Sequence, residues 1–239
     1  EPNEIYFTSG GSEANSWALL ARTRLASWIE HHSIATNYGF SVEENGIANP
    51  EYVRYVIQHY PRDYYCPEMI SCMTVNNEIG TIQPIKEIAA ATHDGNLLFH
   101  TDAVQAVGHI PIDVKDINCD MLSASGHKFG SPKGSGFLYV KNGIEMFPLI
   151  HGGKQERGLR GGTENVLGII AMAAALEDAV EHMEERNKHI KFMRDELMLN
   201  LIDDDGIIIN GSMAFNERVV SNLNLQIKGV KGEDVVSMC

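Results

Sequence analysis

Asn96-Leu97-Leu98-Phe99-His100-Thr101-Asp102-Ala103-Val104-Gln105 and Met121-Leu122-Ser123-Ala124-Ser125-Gly126-His127-Lys128 share one arrangement. In each, a short apolar run reads as a strand and delivers a chemically active residue at its end: an acid at 102, a lysine at 128. Around them, strand-like runs occur at Ile5–Thr8, Met69–Val75, Asn96–His100, Met121–Ala124 and Gly136–Val140. Helix-like stretches occupy Ser12–Leu25, Ile85–Thr92 and Thr163–Ile202. Strand and helix in alternation predict an α/β domain with a largely parallel sheet. In such sheets ligands bind beyond the carboxyl ends of the strands, where Asp102 and Lys128 fall. From Val166 to Ala175 the chain is small and apolar, and it turns charged through Glu177–Lys191. That change predicts one long helix, buried in its first half and amphipathic in its second.

Composition narrows the class. The 239 residues are 44% hydrophobic, enough for a proper core, and carry a formal net charge of −13. That charge argues against nucleic acid and against anionic membrane surfaces as partners. No apolar stretch is long enough to span a bilayer, and the first residues lack a basic-then-apolar signal pattern. The four cysteines, Cys66, Cys72, Cys119 and Cys239, are scattered without C-x-x-C pairing. They read as reduced thiols of a cytoplasmic protein rather than a disulfide framework or a zinc site. Asp203-Asp204-Asp205-Gly206 reads as a polar turn, since it lacks the later acidic ligand of a calcium loop. No metal site is expected.

A lone lysine is usually a solvated surface residue, and a lone aspartate at a strand end is usually a turn former. The pair acquires meaning from what surrounds it. Ser9-Gly10-Gly11-Ser12-Glu13-Ala14-Asn15 lies between a strand and a helix start, where free N–H groups face an anion. Ser12 could equally be a plain helix cap. Val75-Asn76-Asn77-Glu78-Ile79-Gly80, the Asp102 and Lys128 motifs, and Gly152-Gly153-Lys154-Gln155-Glu156-Arg157-Gly158-Leu159-Arg160-Gly161-Gly162-Thr163 follow in order. Together these five motifs resemble the NifS/IscS-like cysteine desulfurases, fold-type I pyridoxal 5′-phosphate (PLP) enzymes of the class-V aminotransferase group.

The resemblance runs over nearly the whole chain and implies a site residue by residue. Lys128 would form the Schiff base, and Asp102 would keep the pyridine nitrogen protonated so that the ring accepts electrons. His31, in Glu30-His31-His32-Ser33-Ile34, would stack on the ring and shuttle protons. Gly11, Ser12, Ser125 and His127 would hold the phosphate; Asn77 and Gln105 would face the phenolic oxygen. Thr163 would reach the phosphate of a neighbouring subunit in a homodimer, or serve as a helix N-cap. Glu78 and Lys133 resemble the branch that supplies sulfur to iron–sulfur assembly, which favours L-cysteine over selenocysteine. A sulfur-acceptor or iron–sulfur scaffold protein would be the partner. The alternatives are a selenocysteine lyase or another class-V PLP enzyme, and a non-catalytic scaffold paralogue.

Residues 1–183 then read as the PLP-binding large domain without its N-terminal arm, and 184–239 as the truncated start of a small C-terminal α/β domain. Ala14–Glu30 and Ile34–Glu44 are shorter than the corresponding family segments, and Lys154 stands where a third glycine is usual. The stretch that carries the persulfide cysteine in the family, and its carboxylate-binding arginine, have no counterpart here. Cys239 follows Val235 and Val236 on a helix-like stretch and reads as a small hydrophobe rather than a nucleophile. A polypeptide of these residues is therefore expected to bind PLP weakly at best and to pass on no sulfur. Mass spectrometry for alanine and protein persulfide checks this. Alanine formation abolished by Cys239→Ser would assign the nucleophile to Cys239.

Overall fold

In the computed structural model, which describes residues 1–34, 36–61, 66–214 and 216–238, the apolar runs line up in one seven-stranded sheet. Its strands are β1 (Ile5–Thr8), β2 (Arg24–Ser27), β3 (Gly39–Phe40), β4 (Met69–Ser71), β5 (Leu98–Asp102), β6 (Met121–Ser125) and β7 (Gly136–Val140). Their order across the sheet is β1-β7-β6-β5-β4-β2-β3. β7 pairs antiparallel with both neighbours, and every other pairing is parallel. The carboxyl ends of β1, β6, β5, β4 and β2 consequently open on the same edge, which is where the site forms.

Helices cover both faces. They are α1 (Gly11–Ala18), α2 (Pro50–His59), α3 (Ile85–Asp94), α4 (Val114–Ile117), α5 (Val166–Glu181), α6 (Met183–Leu201) and α7 (Gly232–Met238). On one face Ala14, Trp17 and Ala18 of α1 pack against Ala26, Met69, Met121, Leu138 and Val140. On the other, Val53 and Ile57 of α2, Ile88 of α3 and Met172 of α5 join Leu25, Ile70, Phe99 and Leu122. α2 shows the local logic: Asn49 caps it by accepting from the N–H groups of Glu51 and Tyr52, Pro50 opens it, and Val53 and Ile57 share its buried face. β8 (Ile207–Asn210) and β9 (Asn224–Ile227) form a separate antiparallel pair. Among the described residues no helix is long and apolar enough to cross a membrane.

Several boundaries differ from the sequence reading. The helix expected over Ser12–Leu25 ends at Ala18, and Arg24–Ser27 is strand β2. Alanine and leucine favour helix intrinsically, but Ala21 takes a left-handed φ of 57° and turns the chain, so that β2 can pair with β4. The run at Met69–Val75 is strand only to Ser71, because the chain then leaves the sheet toward Asn76. β5 begins at Leu98 and continues to Asp102, past the expected His100. The single helix expected over Thr163–Ile202 is two, α5 and α6, meeting at His182. No proline or glycine marks that break, so the helical periodicity runs through it unannounced. Thr163 does not cap α5: Asn165 does, accepting from Gly168 N–H. Cys239 lies outside the described residues.

Trp17 ties α1 to the rest of this core. It is fully buried, meets Tyr6 edge-to-face at 5.3 Å between centroids, and donates its indole N–H to the Phe147 carbonyl at 2.9 Å. Trp17→Ala is expected to cost about 3–5 kcal/mol, the usual range for removing a buried aromatic ring. The urea-denaturation midpoint measures it.

Candidate functional site

The carboxyl edge of the sheet holds a cavity of about 250 Å³ lined by Gly11, Ser12, Asn15, His31, Met73, Asn77, Asp102, Val104, Gln105, Ser125, His127 and Lys128. Nine of the residues singled out from sequence therefore meet at one place, drawn from α1, β5, β6 and the loops and turns after β2, β4, β5 and β6. Thr163 is not among the lining residues; it is exposed in the segment before α5. A larger cavity of about 820 Å³ beside Ile5, Val107, Ile110, Phe137 and Leu176 is lined almost wholly by apolar groups. It lacks the convergent polar groups that chemistry needs.

Close backbone packing builds the anion-binding side. A Cβ on Gly11 would lie 2.5 Å from Val104 Cγ2, and one on Gly136 would lie 2.7 Å from both the Ala124 carbonyl oxygen and Gly10 Cα. Glycine at these positions lets the first turn of α1 settle against the ends of β5, β6 and β7. No side chain caps that turn, so the exposed Ser12 hydroxyl and the helix N-terminus remain directed to a ligand. Across the cavity, Ser125 Oγ and His127 Nδ1 lie 3.0 Å apart. Burial, with Lys128 and Lys133 nearby, holds His127 below the ordinary histidine range, which leaves it neutral at neutral pH. Glu13 accepts from Ser9 N–H and from Arg160 at 2.8 Å in each case, pinning the Gly152–Gly162 loop to α1.

The acid side is a connected network. Asp102 is 4% exposed at the end of β5. Oδ1 accepts from Val104 N–H at 2.9 Å, and Oδ2 from Asn15 Nδ2 at 2.6 Å. The same Asn15 nitrogen donates to Ser33 Oγ at 2.9 Å, and Ser33 Oγ lies 2.7 Å from His31 Nδ1. Ser33 N–H also donates to His31 Nδ1 at 3.2 Å. Nδ1 is therefore the acceptor, which places the proton of a neutral His31 on Nε2. Burial pushes the Asp102 carboxyl above its ordinary value; the Val104 and Asn15 donors and the nearby Lys128 ammonium oppose that shift. A ring N–H cation placed against this carboxylate would remove the cost of burying it unpaired.

Lys128 sits in the 3₁₀ turn Gly126–Phe129 directly after β6. Its side chain is exposed at the cavity, and its carbonyl accepts from His109 Nε2 at 2.8 Å. The donor set fits PLP at each of its parts: uncapped helix N–H groups and serine hydroxyls for a phosphate, a buried carboxylate for a pyridinium, and an amine for an aldehyde. Sequence reasoning passed over Asn15, Met73 and Val104. Asn15 carried a signal, since four residues after Gly11 it shares that helix face. Met73 carried none, its place depending on how the chain leaves β4.

Asp102→Asn is expected to leave the chain folded and at least as stable as the parent at about pH 7. Asn15 Oδ1 is buried without a hydrogen-bond partner, so rotation of the Asn15 amide can accept from the new side chain. A carboxyl whose folded pKa is raised contributes stability that is complete below its ordinary value of 3.8 and lost as pH rises through the folded value. The variant lacks that loss. Urea midpoints compared across pH report it, and a variant less stable than the parent above this window would contradict the assignment.

The aminotransferase class-V family model matches residues 1–239. The cysteine desulfurase IscS of Methanosarcina thermophila is 41% identical over 256 residues, covering 99% of this chain and 61% of its own. The cysteine desulfurase NifS of Azotobacter vinelandii is 35% identical over 252 residues, covering 98% and 61%. The chain thus spans about three fifths of the length of these curated relatives. Among solved structures, a NifS-like protein from Rickettsia africae superposes with a TM-score of 0.88 at 27% identity, covering 97% of this chain and 66% of that one. SspA in complex with cysteine gives 0.77 at 31% identity, covering 100% and 69%. With the site's geometry and a match over its full length, the chain belongs to the aminotransferase class-V family.

Proposed function

We propose that this chain forms the cofactor-binding part of a PLP-dependent cysteine desulfurase. In the reaction, L-cysteine and an enzyme thiol become L-alanine and an enzyme persulfide. The observation that carries this reading is the convergence of Lys128, Asp102 and His31 on one cavity whose other wall is an uncapped helix N-terminus with Ser12 and Ser125. The relatives named cysteine desulfurase and the solved complex with cysteine support the substrate. PLP, when bound, supplies an aldehyde for an amine and a ring that accepts electrons from the substrate α-carbon.

The residues divide the work. Gly11 and Ser12, with Ser125 and His127, bind the phosphate. Asp102 holds a proton on the pyridine nitrogen, and Asn15 holds Asp102. Asn77 and Gln105 orient the phenolic oxygen. Lys128 is the covalent anchor, and its amine removes the proton from the substrate α-carbon once released. His31, with its proton on Nε2, moves a proton at the substrate sulfur. Thr163, which does not line this cavity, serves the phosphate site of the second subunit of a homodimer.

None of the described cysteines lines the cavity. Cys72 and Cys119 are buried, and burial pushes their thiols up, that of Cys119 to about 12. Neither suits a nucleophile. The sulfur acceptor is an iron–sulfur scaffold or other sulfur-carrying protein, the compartment is the reducing cytoplasm, and residues 184–239 begin a smaller C-terminal domain.

The test is chemical. After loading with PLP, borohydride reduction and peptide mapping are expected to place the pyridoxyl group on Lys128; a label on Lys133 or Lys141 would defeat the assignment. Asp102→Asn in active protein is expected to slow alanine formation from L-cysteine by on the order of a hundredfold or more, the size of one preorganised electrostatic contact. Turnover at the parent rate would remove Asp102 from its role, and a clear preference for selenocysteine would reassign the substrate.

A further inference from the structure

Glu30 precedes His31 in the turn after β2, and its carboxyl is buried beneath the cavity wall. Oε1 accepts from Ser27 Oγ at 2.6 Å and from Met73 N–H at 2.7 Å. Oε2 is buried with no hydrogen-bond partner among the described residues. Ser27 ends β2, Met73 follows the end of β4, and these strands are neighbours in the sheet. His31 and Met73 both line the cavity. Asn76 closes the same corner, donating to the Ile29 carbonyl at 2.9 Å and lying 3.3 Å from Met73 Sδ. Its Oδ1 accepts from the N–H groups of Glu78 and Ile79, each at 2.9 Å, which sets the turn that presents Asn77.

We propose that Glu30 is a positioning residue of this site: its carboxyl clamps the end of β2 to the end of β4 and so holds His31 and Met73 at the cavity wall. Its role toward PLP rests on the cofactor reading above. The clamp works as the neutral acid. A carboxylate here would leave Oε2 charged, buried and without a donor. Burial chiefly, and then the charge of Asp102, push Glu30 up to about 8 against the pull of its two hydrogen bonds. Among the described residues, the groups that face it are the Ser27 hydroxyl, the Met73 N–H, the Cys72 thiol and Asp102, and none of these is a cation. Asp102, by contrast, has two donors and the Lys128 ammonium nearby. Of the two buried acids, Asp102 carries the charge and Glu30 the proton.

Glu30→Gln keeps an acceptor for both donors and mimics the neutral acid; Glu30→Asp is too short to bridge, and Glu30→Ala removes the clamp. PLP affinity at about pH 7 is expected to stay near the parent's in Glu30→Gln. In the other two it is expected to fall by about tenfold or more, the size of lost buried hydrogen bonds. Far-UV circular dichroism should not change. Glu30→Gln losing affinity like Glu30→Ala would overturn the neutral clamp, and so would Glu30→Ala binding like the parent. A second arm reads charge without cofactor. Glu30 loses stability as pH rises from its ordinary range through about 8, so the urea midpoint of Glu30→Gln should gain on the parent over that window. A constant difference overturns the neutral acid. A third arm is the His31 ring resonances, expected unmoved in Glu30→Gln and shifted in Glu30→Ala. Unmoved signals in Glu30→Ala overturn the clamp whether or not PLP binds. Failure of the parent to bind PLP defeats the cofactor reading separately.

Discussion

A carboxylate buried at the end of a central strand is the constraint around which this fold is arranged. Asp102 needs donors, because an ionised acid taken out of water without them is strongly destabilising. It draws one from the backbone just past its own strand, Val104 N–H, and one from Asn15 of α1. The second bond fixes where α1 crosses the sheet, and with it the placement of Gly11 and Ser12. The same Asn15 nitrogen reaches Ser33 and through it His31. One side chain therefore couples the acid, the phosphate-facing helix turn and the histidine.

The sheet beneath is polar in its middle in a way that supports this. His100 is fully buried two residues before Asp102 on the same strand face; its ring nitrogens lie 2.9 Å from Ser71 Oγ and 3.0 Å from Ser123 Oγ. Burial pushes the imidazole down to about 3, so it stays neutral. The ladder thus spans β4, β5 and β6 without adding charge under Asp102. A satisfied neutral network of this kind sets register where apolar packing alone is permissive. Flanking cores of Trp17 and Leu138 on one side, and Ile70, Phe99 and Leu122 on the other, keep water from it. The result is a buried floor whose carboxyl edge presents exposed chemical groups at its rim, among them Lys128, His31 and Ser12.

Much of this was legible in the residues. Apolar runs of strand length, two of them leading into Asp102 and Lys128, predict a sheet with a ligand edge. The five motifs and the Glu30–Ile34 segment predict which side chains face it, and nine of those side chains line one cavity. The element boundaries were less legible. Ser12–Leu25 is rich in alanine, leucine and arginine, yet the chain leaves the helix because β4 offers a parallel neighbour to Arg24–Ser27. The helical pattern through His182 is unbroken, yet the helix divides there. Local propensity is worth tenths of a kcal/mol per residue, and tertiary pairing outweighs it.

Short-range chemistry was in the sequence: which residues can bind phosphate at a helix N-terminus, which amine can be covalent, which acid stands at a strand end. Those choices depend on residue type and spacing of a few positions, and they survive any error in helix or strand boundaries. The partners of each group were decided by the tertiary structure alone. Asn15 meets Asp102 across 87 positions, and Glu30 meets Met73 across 43. Such distances carry no periodicity to read. They are set when a sheet closes and buried polar atoms must find donors among whatever side chains the packing brings within 3 Å.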